Sequence, residues 1–296
     1  MRRLLTLIAL LTIAPLLRAE NPADWTTQLP PFQIADNLYY VGSRDLASYL
    51  ITTPAGDILI NANLASSPPQ IRASVEKLGF HWTDIKIFLN GQAHSDHVGG
   101  AAEVLRETHA QNYVMDGDVA AMESGGHKDF AFGHDITTPF TPAHVDHILH
   151  DNERIILGGF TLTAHKTAGH TRGCTTFTFL VHVPGEPASQ LRHVVIVGGW
   201  APLSHYRLID APNHPASYPG IDPDFRHTFV ILHALPCDIF LGAHGVYFNL
   251  LPKLQRMKTE GPRIFIDPTG YQTAVNEAQH DYQLMYAKQK AALSHE

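Results

Sequence analysis

Six consecutive residues near the middle of the chain, Gln92 to His97, bring two imidazoles, a carboxylate and an amide into one short segment. Imidazole nitrogen and carboxylate oxygen are ligands that suit Zn²⁺. Side chains that alternate along an extended loop approach a metal from opposite sides, so His94 can serve one ion while Asp96 and His97 serve a neighbouring ion. The segment therefore predicts hydrolytic metal chemistry at two adjacent metal sites.

Two further histidines lie in glycine-rich segments after predicted strands. His170 follows a strand predicted at 160–165, and His244 follows one predicted at 237–241. A buried strand predicted at 84–89 delivers the first segment in the same way. Loops that leave strands along one edge of a sheet converge on one cleft, so we expect these side chains to meet there.

The remaining elements alternate between strands and helices in two halves. Pro68-Pro69 opens a helix, and Gly79 lies where a left-handed residue ends it. A second helix is predicted to begin at Asp222-Pro223, in the favoured order of cap and proline. This alternation predicts an α/β protein, an αβ/βα four-layer sandwich. Further predicted elements are strands at 38–41, 48–52, 57–60, 175–181 and 194–197, a helix at 101–108, and a closing helix with its apolar stripe on Tyr271, Val275, Ala278, Tyr282 and Met285.

The first nineteen residues have the composition of a secretory signal peptide. A basic start is followed by the apolar run Leu4 to Leu17, and Ala19 precedes the predicted cleavage point. We therefore expect a periplasmic or secreted protein with one hydrolase domain at 20–296 and no membrane attachment after cleavage. Removal of the leader takes away three arginines and no acids, which moves the formal charge from −7 to −10. A net acidic protein argues against a nucleic-acid partner.

Stability must come mainly from a hydrophobic core. The chain has 296 residues, of which 44% are hydrophobic, which is enough to bury a large interior. Cys174 and Cys237 are its two cysteines, and the sequence leaves open whether they pair. It also leaves the oligomeric state open.

These motifs resemble the metallo-β-lactamase superfamily, and more closely the subclass B3 metallo-β-lactamases. The resemblance extends from about Phe32 to the C-terminus, and it rests on Gln92–Gly100, Thr163–His165 with Ala168–Thr171, and Leu235–Asp238 with Gly242–Gly245. It implies the fold of that family and zinc-dependent hydrolysis of the β-lactam amide bond in penicillins, cephalosporins and carbapenems, which confers antibiotic resistance. Zinc lowers the pKa of bound water from ~15.7 to about 7 and so supplies hydroxide at neutral pH.

The resemblance also implies a role for each residue of the pattern. The first zinc site comprises Gln92, His94 and His170, and the second comprises Asp96, His97 and His244. Catalytic roles fall to Asp96 and Tyr206, and substrate-binding roles to Trp200, Ser204, Tyr206 and Phe132.

Three features depart from the family pattern, and one of them is the segment 198–202, which stands where many subclass B3 members have a serine pair for the substrate carboxylate. Gln92 stands where most members have histidine, and Asn61 stands where an aspartate is usual. An amide oxygen is a weaker zinc donor than imidazole, so we expect one tightly bound zinc ion and up to two in total. Other functions remain open at this point: a hydrolase of lactones or thioesters on the same fold, or a zinc-binding protein without hydrolytic activity.

Overall fold

The structure is a computed structural model that describes residues 21–135 and 138–294. The predicted signal peptide lies outside these residues. Within them, the chain forms a seven-stranded sheet and a five-stranded sheet. No helix in the described part is long and apolar enough to cross a lipid bilayer.

The first sheet runs in chain order from one edge to the other. Its strands are β1 (Phe32–Ala35), β2 (Leu38–Tyr40), β3 (Tyr49–Thr53), β4 (Gly56–Ile60), β5 (Ile85–Leu89), β6 (Gln111–Met115) and β7 (His147–Leu149). The strands up to β4 pair antiparallel, and β4 to β7 pair parallel. The carboxyl ends of β4, β5 and β6 therefore meet at one edge of the sheet.

The second sheet has the spatial order β12-β11-β10-β9-β8. Its strands are β8 (Glu153–Leu157), β9 (Phe160–Lys166), β10 (Thr175–Val181), β11 (Arg192–Val197) and β12 (Ile239–Gly242). Only the pair β11 and β12 is parallel among the described strands of this sheet.

Helices cover the outer faces of both sheets. They are α2 (Pro68–Lys77), α4 (Ala101–Thr108), α5 (Val119–Glu123), α6 (Ile221–Ala234), α7 (Leu250–Glu260) and α8 (Pro268–Leu293). Two short helices, α1 (Ala23–Thr26) and α3 (Ser95–Val98), instead line a cleft at the edge of the sandwich. Ile71 of α2 and Val104 of α4 pack against the first sheet, whereas Phe229 of α6 and Val275 of α8 belong to the core of the second.

The central strands are buried on both faces. In β4, Ile58 and Ile60 join the core between the sheets, and Leu59 joins the core beneath α2 and α4. Successive strand residues point to opposite faces, so a strand with helices on one side and a sheet on the other needs an unbroken apolar run. The predicted αβ/βα sandwich is confirmed.

Most predicted elements are present, with strand ends shifted by up to two residues, and the predicted start of one helix is wrong. Gly79 has a φ of 92° immediately after α2, as predicted, and α4 has the predicted bounds. Asp222 does not cap α6, because the helix already begins at Ile221 and Gly220 precedes it with a φ of 94°. Asp222 instead lies in the first turn, where its carboxylate accepts a hydrogen bond from Arg226. The sequence analysis did not predict β1, β6, β7 or β8.

Candidate metal centre

The predicted metal ligands meet where loops from the two sheets face each other. The segment after β5 carries Gln92 to His97, the loop after β9 carries His170, and the loop after β12 carries His244. Two of these loops are linked by their backbones, since Thr175 donates its N–H to the carbonyl of Gly91 at 2.8 Å. The structure thus brings together side chains that are far apart in the sequence.

One group of ligands is compact. The ligand atoms of Asp96, His97 and His244 all lie within 4.8 Å of one another. Asp96 Oδ2 is 3.3 Å from His97 Nε2 and 3.6 Å from His244 Nε2. Three atoms at these separations can contact a single cation placed between them, so the three residues of the predicted second site form one compact group that could hold a metal ion.

The other group consists of His94, His170 and Gln92. The rings of His94 and His170 are 4.9 Å apart. His170 donates its Nδ1–H to the carbonyl of Ala201 at 2.7 Å, which leaves Nε2 as the unprotonated nitrogen. Gln92 donates Nε2 to the carbonyl of Gly198 at 3.0 Å, so its orientation is fixed.

Several atoms of these ligands are buried without a hydrogen-bond partner. They are Gln92 Oε1, His94 Nε2 and both ring nitrogens of His97. Burying a polar atom without a partner costs about 1–3 kcal/mol, so native proteins rarely do it without a reason. Nitrogen and oxygen donors in this arrangement fit zinc. The residues present therefore match a metal centre.

Burial and neighbouring charges set the protonation of the ligands. Burial lowers the pKa of His170 to about 4, and it lowers the pKa of His94 well below its usual range, so both imidazoles are neutral. Burial opposes charge on His244 as well, but hydrogen bonds to Asp45 and Asp96 raise its pKa to about 9. The pKa of Asp96 is well below its usual range, because His97 and His244 outweigh the opposing effect of burial. The centre thus combines the neutral imidazoles of His94 and His170 with the ionised carboxylate of Asp96.

Asp118 connects the loops of the two sheets, and the sequence analysis missed it. One carboxylate oxygen accepts hydrogen bonds from Ala93 N at 2.9 Å and Thr171 Oγ1 at 2.7 Å, and the other accepts from Gly173 N at 2.7 Å. Ala93 precedes one predicted ligand and Thr171 follows another. Burial raises the pKa of Asp118 to about 6. The sequence carried no signal for it, because β6, the strand that it follows, was not predicted either.

Asp45 supports His244 and was also missed. Its Oδ2 lies 2.9 Å from His244 Nδ1, so an Nδ1–H donates to the carboxylate and Nε2 is directed towards Asp96. Asn61, the second departure from the family pattern, supports the loop after β5: its Oδ1 accepts a hydrogen bond from Gly91 N at 2.9 Å. Asparagine therefore supplies an acceptor at this position without adding a charge.

A cleft of about 1320 Å³ opens over the ligands. Phe132 lines it, with its ring 5.0 Å from that of His94, whereas Phe130 packs inward against Tyr206 and Tyr218. Trp25 and Tyr247 also line it, with their rings 5.8 Å and 5.2 Å from that of His244. The cleft has room for a drug-sized molecule beside the ligands.

Three of the predicted substrate-binding residues do not line this cleft. Trp200 is buried against Phe240 and Tyr247, and Ser204 is exposed outside it. Tyr206 is 1% exposed, and its hydroxyl donates to the carbonyl of His170 at 2.6 Å. The structure gives their predicted substrate contacts no support, and Phe132 alone of the four faces the cleft.

The two cysteines are not paired. Cys174 is buried beside the His170 loop and donates its thiol to the carbonyl of Gly199 at 3.3 Å, while Cys237 is half-buried. Burial raises the pKa of both thiols. Cys174 therefore acts as a small packing residue behind the centre.

The fold and the ligand cluster define a class of protein, a metal-dependent hydrolase built on an αβ/βα sandwich. The model of the metallo-beta-lactamase superfamily matches residues 45–182, which contain every predicted ligand except His244.

Solved structures match nearly the whole chain. FEZ-1 metallo-beta-lactamase from Legionella gormanii is 43% identical with a TM-score of 0.85, and the match covers 89% of this chain and 98% of that one. BJP-1, a subclass B3 metallo-beta-lactamase of Bradyrhizobium japonicum, is 34% identical with a TM-score of 0.82 and coverage of 92% and 98%. LRA-12, a class B3 di-zinc metallo-beta-lactamase from an Alaskan soil metagenome, is 34% identical with a TM-score of 0.82 and coverage of 90% and 98%. The chain belongs to the metallo-beta-lactamase superfamily, and its resemblance to subclass B3 is confirmed.

Proposed function

We propose that this protein hydrolyses the amide bond of β-lactam antibiotics with zinc as its cofactor. The observation that carries the proposal is the cluster of Asp96, His97 and His244, whose ligand atoms lie within 4.8 Å of one another. Asp96 and His244 line an open cleft, and His97 is buried behind them. Membership of the metallo-beta-lactamase superfamily points to the same reaction.

Zinc, when bound, supplies a Lewis acid for the carbonyl and a nucleophile from water at neutral pH. The residues of the chain hold and shield the reacting groups. Asp96 places an ionised carboxylate at the cleft floor, where it is an acceptor that orients water. Phe132 and Tyr247 form apolar walls that exclude bulk water, which strengthens electrostatic interactions within the cleft.

The two sites should differ in affinity, and Gln92 is the reason. Its amide is fixed by Gly198 so that the neutral Oε1, a weaker donor than imidazole, is the atom left for a metal. We infer that the Asp96–His97–His244 site fills first and that the site at His94 and His170 fills only at higher zinc. Metal analysis after dialysis at low free zinc tests this order, because two tightly held ions per chain would contradict it. Gln92→His is the matched variant, and we expect it to retain the second ion.

Tyr206 has two possible roles that an experiment separates. At the substrate carbonyl, its hydroxyl would have to leave the carbonyl of His170, to which it donates in the structure. Tyr206→Phe would then lower kcat and leave zinc affinity unchanged. A fall in zinc affinity at the first site would instead identify Tyr206 as a residue that positions His170.

The reaction is tested with four substrates, with and without a chelator. A penicillin, a carbapenem, a lactone and a thioester are each incubated with the purified protein. Chelator-sensitive opening of the β-lactams supports the proposal, and faster turnover of the lactone or thioester would replace it with another hydrolase activity. No turnover of any substrate, with zinc bound, would indicate a binding protein.

We also propose that the protein is exported and protects the cell that makes it. The composition of residues 1–19 supports export. Expression in a bacterial host followed by N-terminal sequencing of the periplasmic fraction should give a mature chain that begins at Glu20. A chain that begins at Glu20 without its leader is the control, and it should confer no β-lactam resistance although the purified enzyme is active.

A further inference from the structure

The short N-terminal helix α1 contacts the metal centre through one side chain, Trp25. Its Nε1–H donates to Asp45 Oδ2 at 3.1 Å, and the same oxygen accepts the Nδ1–H of His244 at 2.9 Å. The other carboxylate oxygen, Oδ1, accepts Val246 N at 3.0 Å. Asp45 is therefore held by donors from helix α1 and from the segment after β12.

The segment that carries Trp25 is fastened to the chain beside Asp45. The carbonyl of Asp24 accepts the backbone N–H of Asp45 at 3.1 Å and the hydroxyl of Ser43 at 3.1 Å. Arg44 forms an ion pair with the Asp24 carboxylate at 2.7 Å, and its own N–H donates to the carbonyl of Thr27. The hydrogen bonds to the carbonyls of Asp24 and Thr27 fix the indole where its N–H meets Asp45, whereas the exposed ion pair contributes little.

The indole also covers His244. The two rings are 5.8 Å apart with 47° between their planes, and Trp25 lines the cleft. It thereby limits the access of water to the hydrogen bond between Asp45 and His244. A buried hydrogen bond to a charged group is stronger than one that competes with water.

We propose that Trp25 and Asp45 act as positioning residues that hold His244 in the tautomer and orientation that the Asp96–His97–His244 site requires. Asp45 keeps the proton on Nδ1, so the lone pair of Nε2 is directed at the site, and Trp25 keeps the carboxylate of Asp45 in place. The superfamily model begins at residue 45 and does not include Trp25. This inference rests on the zinc site of the proposed function.

Three variants of the full mature chain test the inference. Trp25→Phe keeps an aromatic wall and removes only the N–H donor, and Asp45→Asn removes the charge that holds the imidazole proton. Arg44→Gln is the matched control, because it breaks the ion pair with Asp24 and leaves the carboxylate of Asp45 untouched. Zinc affinity is measured by competition with a chromophoric chelator, and unfolding of the metal-free proteins shows whether each variant is folded.

Replacing a residue that hydrogen-bonds to a metal ligand lowers metal affinity by roughly 10- to 100-fold. We expect a loss of that size for Asp45→Asn and a smaller loss, roughly 3- to 10-fold, for Trp25→Phe. Arg44→Gln should stay within about twofold of the wild type, as a partly exposed ion pair contributes little. Cobalt(II) in place of zinc shifts the proton NMR resonances of its ligands. The N–H proton of His244 should give such a shifted resonance in the wild type and in Arg44→Gln. In Trp25→Phe the same resonance should be broadened by faster exchange with water.

Other outcomes would overturn the inference. Wild-type affinity and an unbroadened resonance in Trp25→Phe would show that the indole N–H has no such role. A loss in Arg44→Gln equal to that in Trp25→Phe would show that docking of the segment matters and the hydrogen bond does not. Variants that bind zinc as expected while no form hydrolyses a β-lactam would contradict the proposed function and support this inference. Absence of zinc binding in the wild type would contradict both.

Discussion

At the level of single residues, the metal ligands and the residues that hold them differ in how well the sequence predicts them. The ligands of the Gln92–His97 segment are adjacent, so their residue types alone indicate metal chemistry. Asp118 contacts Thr171 53 positions away, and Asp45 contacts His244 199 positions away. A single carboxylate in a loop carries no local pattern, so only the folded chain shows what it supports.

Replacement of Asp118 by alanine should weaken the metal centre. The variant Asp118→Ala leaves the N–H groups of Ala93 and Gly173 and the hydroxyl of Thr171 without the acceptor they share. Each buried donor without a partner costs about 1–3 kcal/mol, and relief from burying a carboxylate whose pKa is about 6 offsets part of this. We expect the free energy of unfolding to fall by about 2 kcal/mol, and zinc affinity to fall by roughly tenfold. Urea unfolding and chelator competition measure the two effects.

Asp116→Ala is the control for that variant. Asp116 lies two positions away and pairs with Lys166 on the surface, where its side chain is 38% exposed. Its loss should cost less than about 1 kcal/mol and leave zinc affinity unchanged. Equal effects in both variants would show that Asp118 has no special role in joining the loops.

At the level of secondary-structure elements, the sequence predicted the central strands and the amphipathic helices because tertiary packing agrees with their local pattern. The apolar run of β5 indicates a strand that is buried on both faces, and the apolar stripe of α8 indicates a helix that packs on a sheet along one face. The edge strands β1 and β7 have only four and three residues, and an alternation of apolar and polar residues cannot be recognised over so short a segment. Asp222 failed as a predicted cap because Gly220, in the left-handed conformation, precedes the first residue of α6 two positions earlier than predicted.

The two consecutive glycines after β11 pack against different neighbours. A Cβ on Gly198 would lie 2.3 Å from the carbonyl oxygen of Gly91 and 2.4 Å from that of Thr175, and neither backbone can move away cheaply. A Cβ on Gly199 would lie 3.0 Å from the ring of His170, which can shift by a few tenths of an ångström. Substitution of the two glycines should therefore have different effects on stability and on the position of His170.

Gly198→Ala should be unstable, whereas Gly199→Ala should fold with a displaced ligand. Overpacking costs typically 1–3 kcal/mol, and we expect about 3 kcal/mol or more for Gly198→Ala and about 1 kcal/mol for Gly199→Ala. Because the His170 ring moves, Gly199→Ala should also lower the affinity of the first zinc site by roughly tenfold. Thermal unfolding and zinc titration separate the two effects. Unchanged zinc binding in Gly199→Ala would show that the ring has more room than these distances allow.

The start of β4 contains a carboxyl group that makes stability depend on pH. Burial raises the pKa of Asp57 to about 6, and Asp84 adds to the rise. The folded state therefore favours the protonated form more than the unfolded state does. The contribution of this carboxyl group to the free energy of unfolding is fully present below the unfolded pKa of about 3.9. That contribution is lost as the pH rises through 6.

Asp57→Asn should remove this loss. We expect the variant to be more stable than the wild type by about 1–2 kcal/mol at pH 8, because the carboxyl group lines an open surface pocket that preserves part of its hydration. The difference should vanish below about pH 4. Urea unfolding across this range measures it, with Asp281→Asn on the exposed face of α8 as the control. A destabilised variant at pH 8 would contradict the sign.

At the level of the whole molecule, the metal centre joins the two sheets. Gln92 to His97 come from the first sheet, and His170 and His244 come from the second, so a bound ion bridges both halves of the sandwich. Unfolding separates these ligands and destroys the site. A ligand that binds only the folded state stabilises it by RT ln(1 + [L]/Kd), so zinc should stabilise the global fold and not merely order the loops.

The dependence of stability on zinc should therefore reveal how many ions the folded protein holds. While one site is filled, the free energy of unfolding should rise by about 1.4 kcal/mol for each tenfold increase in free zinc, and the slope should double when a second site fills. Because Gln92 weakens the first site, we expect the single slope at low zinc and the doubled slope only at higher zinc. Urea unfolding in a series of zinc buffers measures this, and Gln92→His should move the change of slope to lower zinc. A variant with both His97 and His244 replaced by alanine should lose the slope at low zinc, whereas an unchanged slope would mean that the ion binds elsewhere.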